Sequence, residues 1–203
     1  MSLNPRARAA LILLAAVLAG AAIIYAAIAR QTPQPPLAAG PTFVSPVAPA
    51  TGAVGAVHVG ARAPDFEAPL LRQGGGGALR LSDLRGKAVV MNFWASWCGP
   101  CRAEAKDLEA NHQRYKAQGL TFFGVDIVQD DWDDAMAFVT GFGITYPMVR
   151  DVTGRITATY QIVNLPTTFF IDRQGIVRDR YVGGFLGEFG QRELAKRIEA
   201  LLR

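Results

Sequence analysis

The 203-residue chain contains little cysteine and little histidine, with two residues of each. Both cysteines lie in the short motif Trp97-Cys98-Gly99-Pro100-Cys101, and neither His58 nor His112 stands at ligand spacing from it. A structural zinc site needs four protein ligands at characteristic spacings. The sequence therefore argues against a zinc centre, and we predict no metal site.

Acidic residues are absent before Asp65, and residues 31–60 carry no charge of either sign. The net charge of +4 comes mostly from Arg6, Arg8 and Arg30, so the remainder of the chain is close to neutral. A nucleic-acid-binding domain would instead concentrate basic residues in a patch or stripe on its folded part. The high isoelectric point therefore predicts no nucleic-acid partner.

Residues 9–29 form an apolar run without a charged side chain. About 20 such residues span the hydrocarbon core of a bilayer as a helix. Arg6 and Arg8 precede the run and favour a cytoplasmic N-terminus, residues 1–8. The tripeptide at 27–29, Ala-Ile-Ala, leaves a cleaved signal peptide as an alternative, and a buried core helix is a second one. The length of the run favours an uncleaved, single-pass anchor in the cell membrane.

Residues 30–60 follow this anchor and contain six prolines, at positions 33, 35, 36, 41, 46 and 49. A proline-rich segment with no charged residue after Arg30 cannot bury a core and favours extended chain. We therefore predict a tether between the membrane and a folded domain at 61–203, with that domain on the extracytoplasmic side.

Strands alternate with helices in the predicted domain. Residues 87–94 are a near-continuous apolar run, which is typical of a strand buried on both faces of a sheet. The other predicted elements are a loose glycine-containing hairpin (66–71 and 78–81), a helix (102–118) that ends at Gly119, a strand (120–126), a helix that begins at Asp130 or Asp131 and ends at Gly141, a short helix (153–160), a hairpin (165–171 and 176–182) and a C-terminal amphipathic helix. This order predicts an α/β fold with a mixed central sheet flanked by helices.

The two cysteines are spaced for a reversible disulfide on the first turn of a helix. Cys98 lies nearer the helix N-terminus, where unpaired N–H groups and the helix dipole favour a thiolate. We therefore predict that Cys98 attacks a substrate disulfide and that Cys101 resolves the mixed disulfide. The alternative of a purely structural disulfide is disfavoured, because closing so short a loop removes little chain entropy.

Four segments carry a resemblance to a known family: 92–104 around the cysteines, 124–126, 146–147 and 165–172. Together they resemble the membrane-anchored TlpA/ResA-type thioredoxins. The resemblance implies a thioredoxin-like fold with an N-terminal hairpin and a central insertion near 129–147. It also implies an extracytoplasmic thiol–disulfide oxidoreductase, often a reductant in cytochrome c maturation. The implied partners are disulfide-containing extracytoplasmic proteins, such as apocytochrome c, and a membrane thiol electron donor, with no cofactor.

Glu104 lies three residues after Cys101 and six after Cys98, on about the same helix face. From spacing alone it is equally a solvated glutamate or a desolvated carboxylate that takes the proton of Cys101. The matching position in the family favours the proton-relay role. Plain thioredoxin carries a buried acid where this chain has Asn92, so the relay must use another residue.

The predicted substrate-binding residues surround the cysteine motif. From the residues alone, Pro166 is explained by a turn at a strand edge, since proline cannot donate to a sheet ladder. The resemblance implies that Pro166 has a cis peptide bond and faces the cysteines. It also implies that the backbone of Leu165 pairs with substrate, while Trp97, Gly99 and Pro100 shape the groove.

Two other functions fit the same general fold. A peroxiredoxin-like peroxidase needs Thr or Ser three residues before its reactive cysteine, but Ala95 stands there. A copper-delivery protein would use thiolates for Cu(I), but that family spaces its cysteines one residue wider and adds a histidine that is absent here. Both remain as alternatives.

Overall fold

The computed structural model describes residues 57–72, 74 and 76–203. The predicted anchor at 9–29 and most of the predicted tether lie outside these residues. Of the helices that are described, none combines the length and the apolar character needed to cross a membrane. The described strands are β1 (Glu67–Pro69), β2 (Ala78–Arg80), β3 (Ala88–Trp94), β4 (Leu120–Asp126), β5 (Met148–Arg150), β6 (Thr167–Ile171) and β7 (Val177–Val182). The α-helices are α1 (Gly99–Tyr115), α2 (Trp132–Phe142), α3 (Arg155–Thr159) and α4 (Gly187–Leu202).

The central sheet has five strands in the order β5-β4-β3-β6-β7, while β1 and β2 form a separate antiparallel hairpin. Strands β3, β4 and β5 are parallel, whereas β6 and β7 run antiparallel to their neighbours. The predicted mixed sheet is therefore confirmed. The carboxyl ends of β3 and β4 meet at one edge of the sheet, and β6 starts at that same edge because Phe93 pairs with Thr167.

Strand β3 is buried along its whole length. Because side chains alternate between the two faces of a strand, Val90 and Trp94 pack into a core beneath α1, α2 and α4. Met91 and Phe93 pack into a second core, which includes residues of α3 and of the hairpin. Asn92 shares the face of Trp94 and therefore points toward the layer that contains α1.

Side chains from the two strands beside β4 fill the space next to Gly124. A Cβ atom at this position would lie 1.9 Å from the sulfur of Met148 and 3.1 Å from the indole nitrogen of Trp94. Only glycine permits this approach, so Gly124 allows β5 and the end of β3 to pack together beside the cysteine loop.

Helix α2 begins as one of the two predicted starts but ends later than predicted. Asp131 is its N-cap and accepts hydrogen bonds from the N–H groups of Asp133 and Asp134. The predicted end at Gly141 is wrong, because Gly141 continues the helix and Gly143 adopts the left-handed conformation, with φ of +65°. Either glycine can adopt that conformation, so composition alone did not identify the terminator.

Candidate active site

Cys98 and Cys101 form a disulfide at the N-terminus of α1. Helix α1 starts at Gly99, three residues earlier than predicted, because Cys98 is its N-cap. Pro100 is the second residue of the helix, where its missing N–H leaves no hydrogen bond unmade. The N–H of Cys101 donates to the Cys98 sulfur at 3.2 Å. This contact, together with the helix N-terminus, stabilises negative charge on the sulfur of Cys98.

The two sulfur-bearing residues are both largely buried, at 5% exposed for Cys98 and 2% for Cys101. Cys98 is the more exposed of the two, as expected for the predicted nucleophile, although the difference in exposure is small. Access comes from the neighbouring residues, since Trp97 is 61% exposed and Gly99 and Pro100 are also exposed. A partner protein can therefore approach the disulfide across Trp97 and the first turn of α1.

A groove of about 500 Å³ borders the disulfide. One side is formed by the motif residues from Trp97 to Pro100, and the other by the segment 162–165. Ile127, Gln129 and Thr157 complete the lining. Among the described residues, those that line this groove carry no charge. Val163 is 84% exposed at its rim, so the groove presents an uncharged, partly apolar surface next to the reactive sulfurs.

The structure brings Leu165 into this groove and thus beside Cys98. The peptide bond between Leu165 and Pro166 is cis, as the family resemblance implied. Pro166 is itself buried, and its carbonyl accepts a hydrogen bond from the N–H of Gly183 at 2.8 Å. The predicted groove residues Trp97, Gly99, Pro100 and Leu165 therefore lie together around Cys98.

Glu104 is completely buried, and both of its carboxylate oxygens accept hydrogen bonds. The amide of Asn92 donates to Oε1 at 3.0 Å and the N–H of Phe185 donates to Oε2 at 2.8 Å. The same Asn92 amide also donates to the hydroxyl of Thr168 at 3.0 Å. Burial raises the pKa of the Glu104 carboxyl to about 7, against the opposing effect of the two hydrogen bonds. A carboxyl with this pKa exchanges protons readily near neutral pH.

Several contacts near the site were not predicted from the sequence. Phe185 reaches Glu104 through its backbone alone, so its side chain gives no signal. Asp130 was predicted as a possible helix cap, but its carboxylate instead accepts hydrogen bonds from the N–H and hydroxyl of Ser96, at 2.5 and 2.6 Å. The sequence did offer one signal for this contact. Asp130 follows the carboxyl end of β4, which lies beside the end of β3 and therefore near Ser96.

Within residues 57–72, 74 and 76–203, no three His, Cys, Asp or Glu side chains are grouped in a way that would hold a metal ion. The reactive groups at the start of α1 are the two sulfurs and the Glu104 carboxyl. The uncharged groove borders the disulfide and carries no reactive group of its own.

Comparison with known proteins decides the family. The model of the AhpC/TSA family matches residues 59–180. The chain belongs to this family. It is 37% identical over 139 residues to the thiol-disulfide oxidoreductase ResA of Geobacillus kaustophilus, a match that covers 68% of the chain and 78% of that relative. The thioredoxin-like protein YneN of Bacillus subtilis is 34% identical over 129 residues and is covered to 73% of its length.

Solved structures of thiol–disulfide interchange proteins have a similar fold. A putative thiol:disulfide interchange protein DsbE from Chlorobium tepidum superposes with a TM-score of 0.66 at 32% identity, covering 73% of the chain and 100% of that structure. A putative protein disulfide isomerase from Bacteroides thetaiotaomicron gives a TM-score of 0.62 at 30% identity, covering 72% and 91%. The predicted ResA-type resemblance is confirmed. The chain is a thiol–disulfide oxidoreductase with a thioredoxin-like fold.

Proposed function

We propose that this oxidoreductase reduces protein disulfides outside the cytoplasm, tethered to the cell membrane by residues 9–29. The observation that carries the proposal is the Cys98–Cys101 pair at the N-terminus of α1, next to an uncharged groove that an extended protein segment can enter. Apocytochrome c is the proposed substrate class, and a membrane thiol protein is the proposed electron donor. Both come from the family resemblance.

The proposed reaction transfers two electrons from the cysteine pair to a substrate disulfide. The Cys98 thiolate attacks one substrate sulfur, so the substrate S–S bond breaks and a mixed disulfide forms while the other substrate sulfur leaves as a thiolate. Cys101 then attacks the Cys98 sulfur, which breaks the mixed disulfide and releases the second substrate thiolate. The chain ends with a Cys98–Cys101 disulfide, and the substrate ends as a dithiol.

Glu104 is proposed to accept the proton that Cys101 loses before it attacks. It lies one helical turn from Cys101, on the same face of α1. Because its pKa is about 7, both the carboxylate and the carboxylic acid are populated near neutral pH. The carboxylate takes the thiol proton, and the acid form returns it to water or to the departing substrate thiolate.

The proposed function is tested by three parallel assays on the purified full chain. We expect the reduced chain to reduce insulin disulfides, to turn over hydrogen peroxide no faster than a free thiol, and to show no stoichiometric tight binding of Cu(I). Rapid peroxide turnover without insulin reduction would instead support the peroxidase alternative. Tight one-to-one Cu(I) binding without insulin reduction would support copper delivery.

The proposed topology predicts protease access from outside the cytoplasmic membrane. Arg6 and Arg8 favour a cytoplasmic N-terminus, and the proposed tether that follows the anchor would reach at most about 90 Å at ~3.1 Å per residue. Protease added to intact spheroplasts should therefore release a soluble fragment containing the cysteine motif. Recovery of that fragment only after membrane lysis would contradict the topology.

The uncharged groove predicts that a charge at its rim weakens reaction with protein substrates. A Val163→Glu side chain would have to be desolvated when a protein covers it, which opposes binding. We expect kcat/KM for insulin to fall about tenfold, equivalent to about 1.4 kcal/mol, with little change for oxidised glutathione. Val59→Glu is the matched control, because Val59 is 56% exposed and Gly60 beside it contacts β7 at Val177, far from the cysteines. Equal losses in the two variants would contradict the groove assignment.

A further inference from the structure

Ser96, two residues before Cys98, is tied to a buried carboxylate. Its N–H and its hydroxyl both donate to Asp130, at 2.5 and 2.6 Å, and Asp130 is only 5% exposed. The carbonyl of Ser96 accepts a hydrogen bond from Arg102 on α1 at 3.2 Å. All the main hydrogen-bonding groups of Ser96 are therefore occupied, and they fix the turn that leads from β3 to Cys98.

Asp130 is itself held in place by its surroundings. Arg150 donates to the Asp130 carbonyl and pairs with the Asp126 carboxylate at 2.8 Å. The N–H of Asp131 donates to the Asp130 carboxylate at 2.9 Å. Burial, with a further contribution from Asp130, raises the pKa of Asp126 to about 8. Arg150 thus joins the Asp126 carboxylate to the backbone of Asp130.

A capping role does not explain Asp130. The N-cap of α2 is Asp131, which accepts from the N–H groups of two helix residues. The Asp130 carboxylate directs its side-chain bonds to Ser96 and to the N–H of Asp131. Two neighbouring aspartates therefore have different tasks: one caps a helix and the other holds the cysteine loop.

The turn held by Asp130 contains Trp97 and leads directly to Cys98, and both of these residues line the groove. Trp97 is exposed and lines the groove beside Cys98, and it also lines a second groove toward Phe138 and Phe142 of α2. Because the Trp97 indole is mostly exposed, its packing does not hold the turn in place. The two hydrogen bonds from Ser96 to the buried Asp130 carboxylate hold the turn instead.

We propose that Asp130 is a positioning residue for thiol–disulfide exchange, and that its buried carboxylate fixes the Ser96–Trp97 turn so that the Cys98 sulfur stays at the N-terminus of α1. It acts through Ser96 and does not touch substrate. The inference rests on the exchange chemistry of the cysteine pair and not on the proposed localisation or partners.

The test compares Asp130→Ala, Asp130→Asn and Asp131→Ala in the full chain. The readouts are the rate constant for exchange with oxidised glutathione, the rate of Cys98 alkylation and the unfolding midpoint. We expect Asp130→Ala to slow exchange and alkylation about tenfold, since two hydrogen bonds to a charged acceptor are lost. Asp130→Asn should stay within about threefold of the parent, because its amide oxygen can accept from the Ser96 N–H while its nitrogen donates to the hydroxyl. Only the bond from the Asp131 N–H is then lost.

Asp131→Ala is the matched control, since losing a helix cap lowers stability but leaves the cysteine loop held. We expect its unfolding midpoint to fall while its exchange rate stays unchanged. Equal slowing by Asp131→Ala, or exchange at the parent rate in Asp130→Ala, would overturn the inference. If Asp130→Ala does not fold, Ser96→Ala decides, with an expected slowing of about threefold and an unchanged rate as the refuting result. Because the probes are small molecules, failure of the parent chain to reduce proteins would refute only the proposed function.

Discussion

Replacing Cys98 with serine is expected to lower protein-disulfide reduction by about 10³-fold or more, since the attacking sulfur is removed. Cys101→Ser should retain the first attack but not the resolving step, so covalent complexes with substrate should accumulate. The chain contains no cysteine besides these two, which means that each variant carries a single thiol. Insulin reduction measures the first effect, and non-reducing electrophoresis with mass spectrometry measures the second.

The two single-thiol variants also control for each other. Alkylation of Cys101→Ser near neutral pH measures the Cys98 thiol. We expect its pKa to lie below the ordinary value of about 8.5, because Cys98 is the N-cap of helix α1. Alkylation of Cys98→Ser should be slower, since Cys101 lies a turn deeper. Faster labelling in the Cys98→Ser variant, or mixed disulfides on Cys101, would reverse the assigned roles.

The Glu104→Gln variant is expected to change both stability and catalysis. The pKa of Glu104 is raised from 4.5 to about 7 in the folded chain, so the folded state holds a proton that the unfolded state has already released. The free energy of unfolding of the parent should therefore fall as pH rises from about 4.5 to about 7, by roughly 3 kcal/mol from this carboxyl. Above about pH 7 the loss is complete and this contribution becomes flat.

The variant should lack that decrease and should be the more stable chain above neutral pH. Asp126, with its pKa raised to about 8, adds a decrease of the same sign in both chains, so the difference between the two curves isolates Glu104. Chemical unfolding at a series of pH values gives this difference. Curves that stay parallel across the range would contradict the assigned pKa.

Glu104→Gln should also slow resolution of the mixed disulfide by about 10²-fold, because its amide cannot take the Cys101 proton. Glu188→Gln is the matched control, since the Glu188 side chain is 92% exposed on α4 and lies outside the described site. Stopped-flow release of substrate from a preformed mixed disulfide measures the step. Equal rates in the parent and Glu104→Gln would leave Glu104 a structural residue.

Local patterns in the sequence were sufficient to predict the mixed sheet and the position of the cysteine pair. The apolar run of β3 has the burial on both faces that its composition predicted, and the cysteine motif lies at the start of a helix as its spacing required. Helix ends were less certain, because Gly141 and Gly143 are two residues apart and only backbone geometry distinguishes them. The exposure difference predicted for the two cysteines is present but small.

The environment of the site depends on contacts between distant parts of the chain. Helical spacing put Glu104 on the face of the cysteines, but its burial depends on Phe185, which is 81 residues away, and on Asn92 in β3. Asn92 occupies the position of an acid in plain thioredoxin and here donates to Glu104, so the two residues form one buried unit. The cis bond before Pro166 was predicted from the family resemblance, since the residues alone are explained by a turn at the strand edge.

The most direct test of the central claim is a single-turnover thiol count. The fully reduced full chain is mixed with excess oxidised insulin in the absence of any other reductant, and protein thiols are counted after quenching. We expect each chain to lose two thiols, recovered as a Cys98–Cys101 disulfide, while insulin gains two. A chain that keeps both thiols in the presence of excess insulin would contradict it.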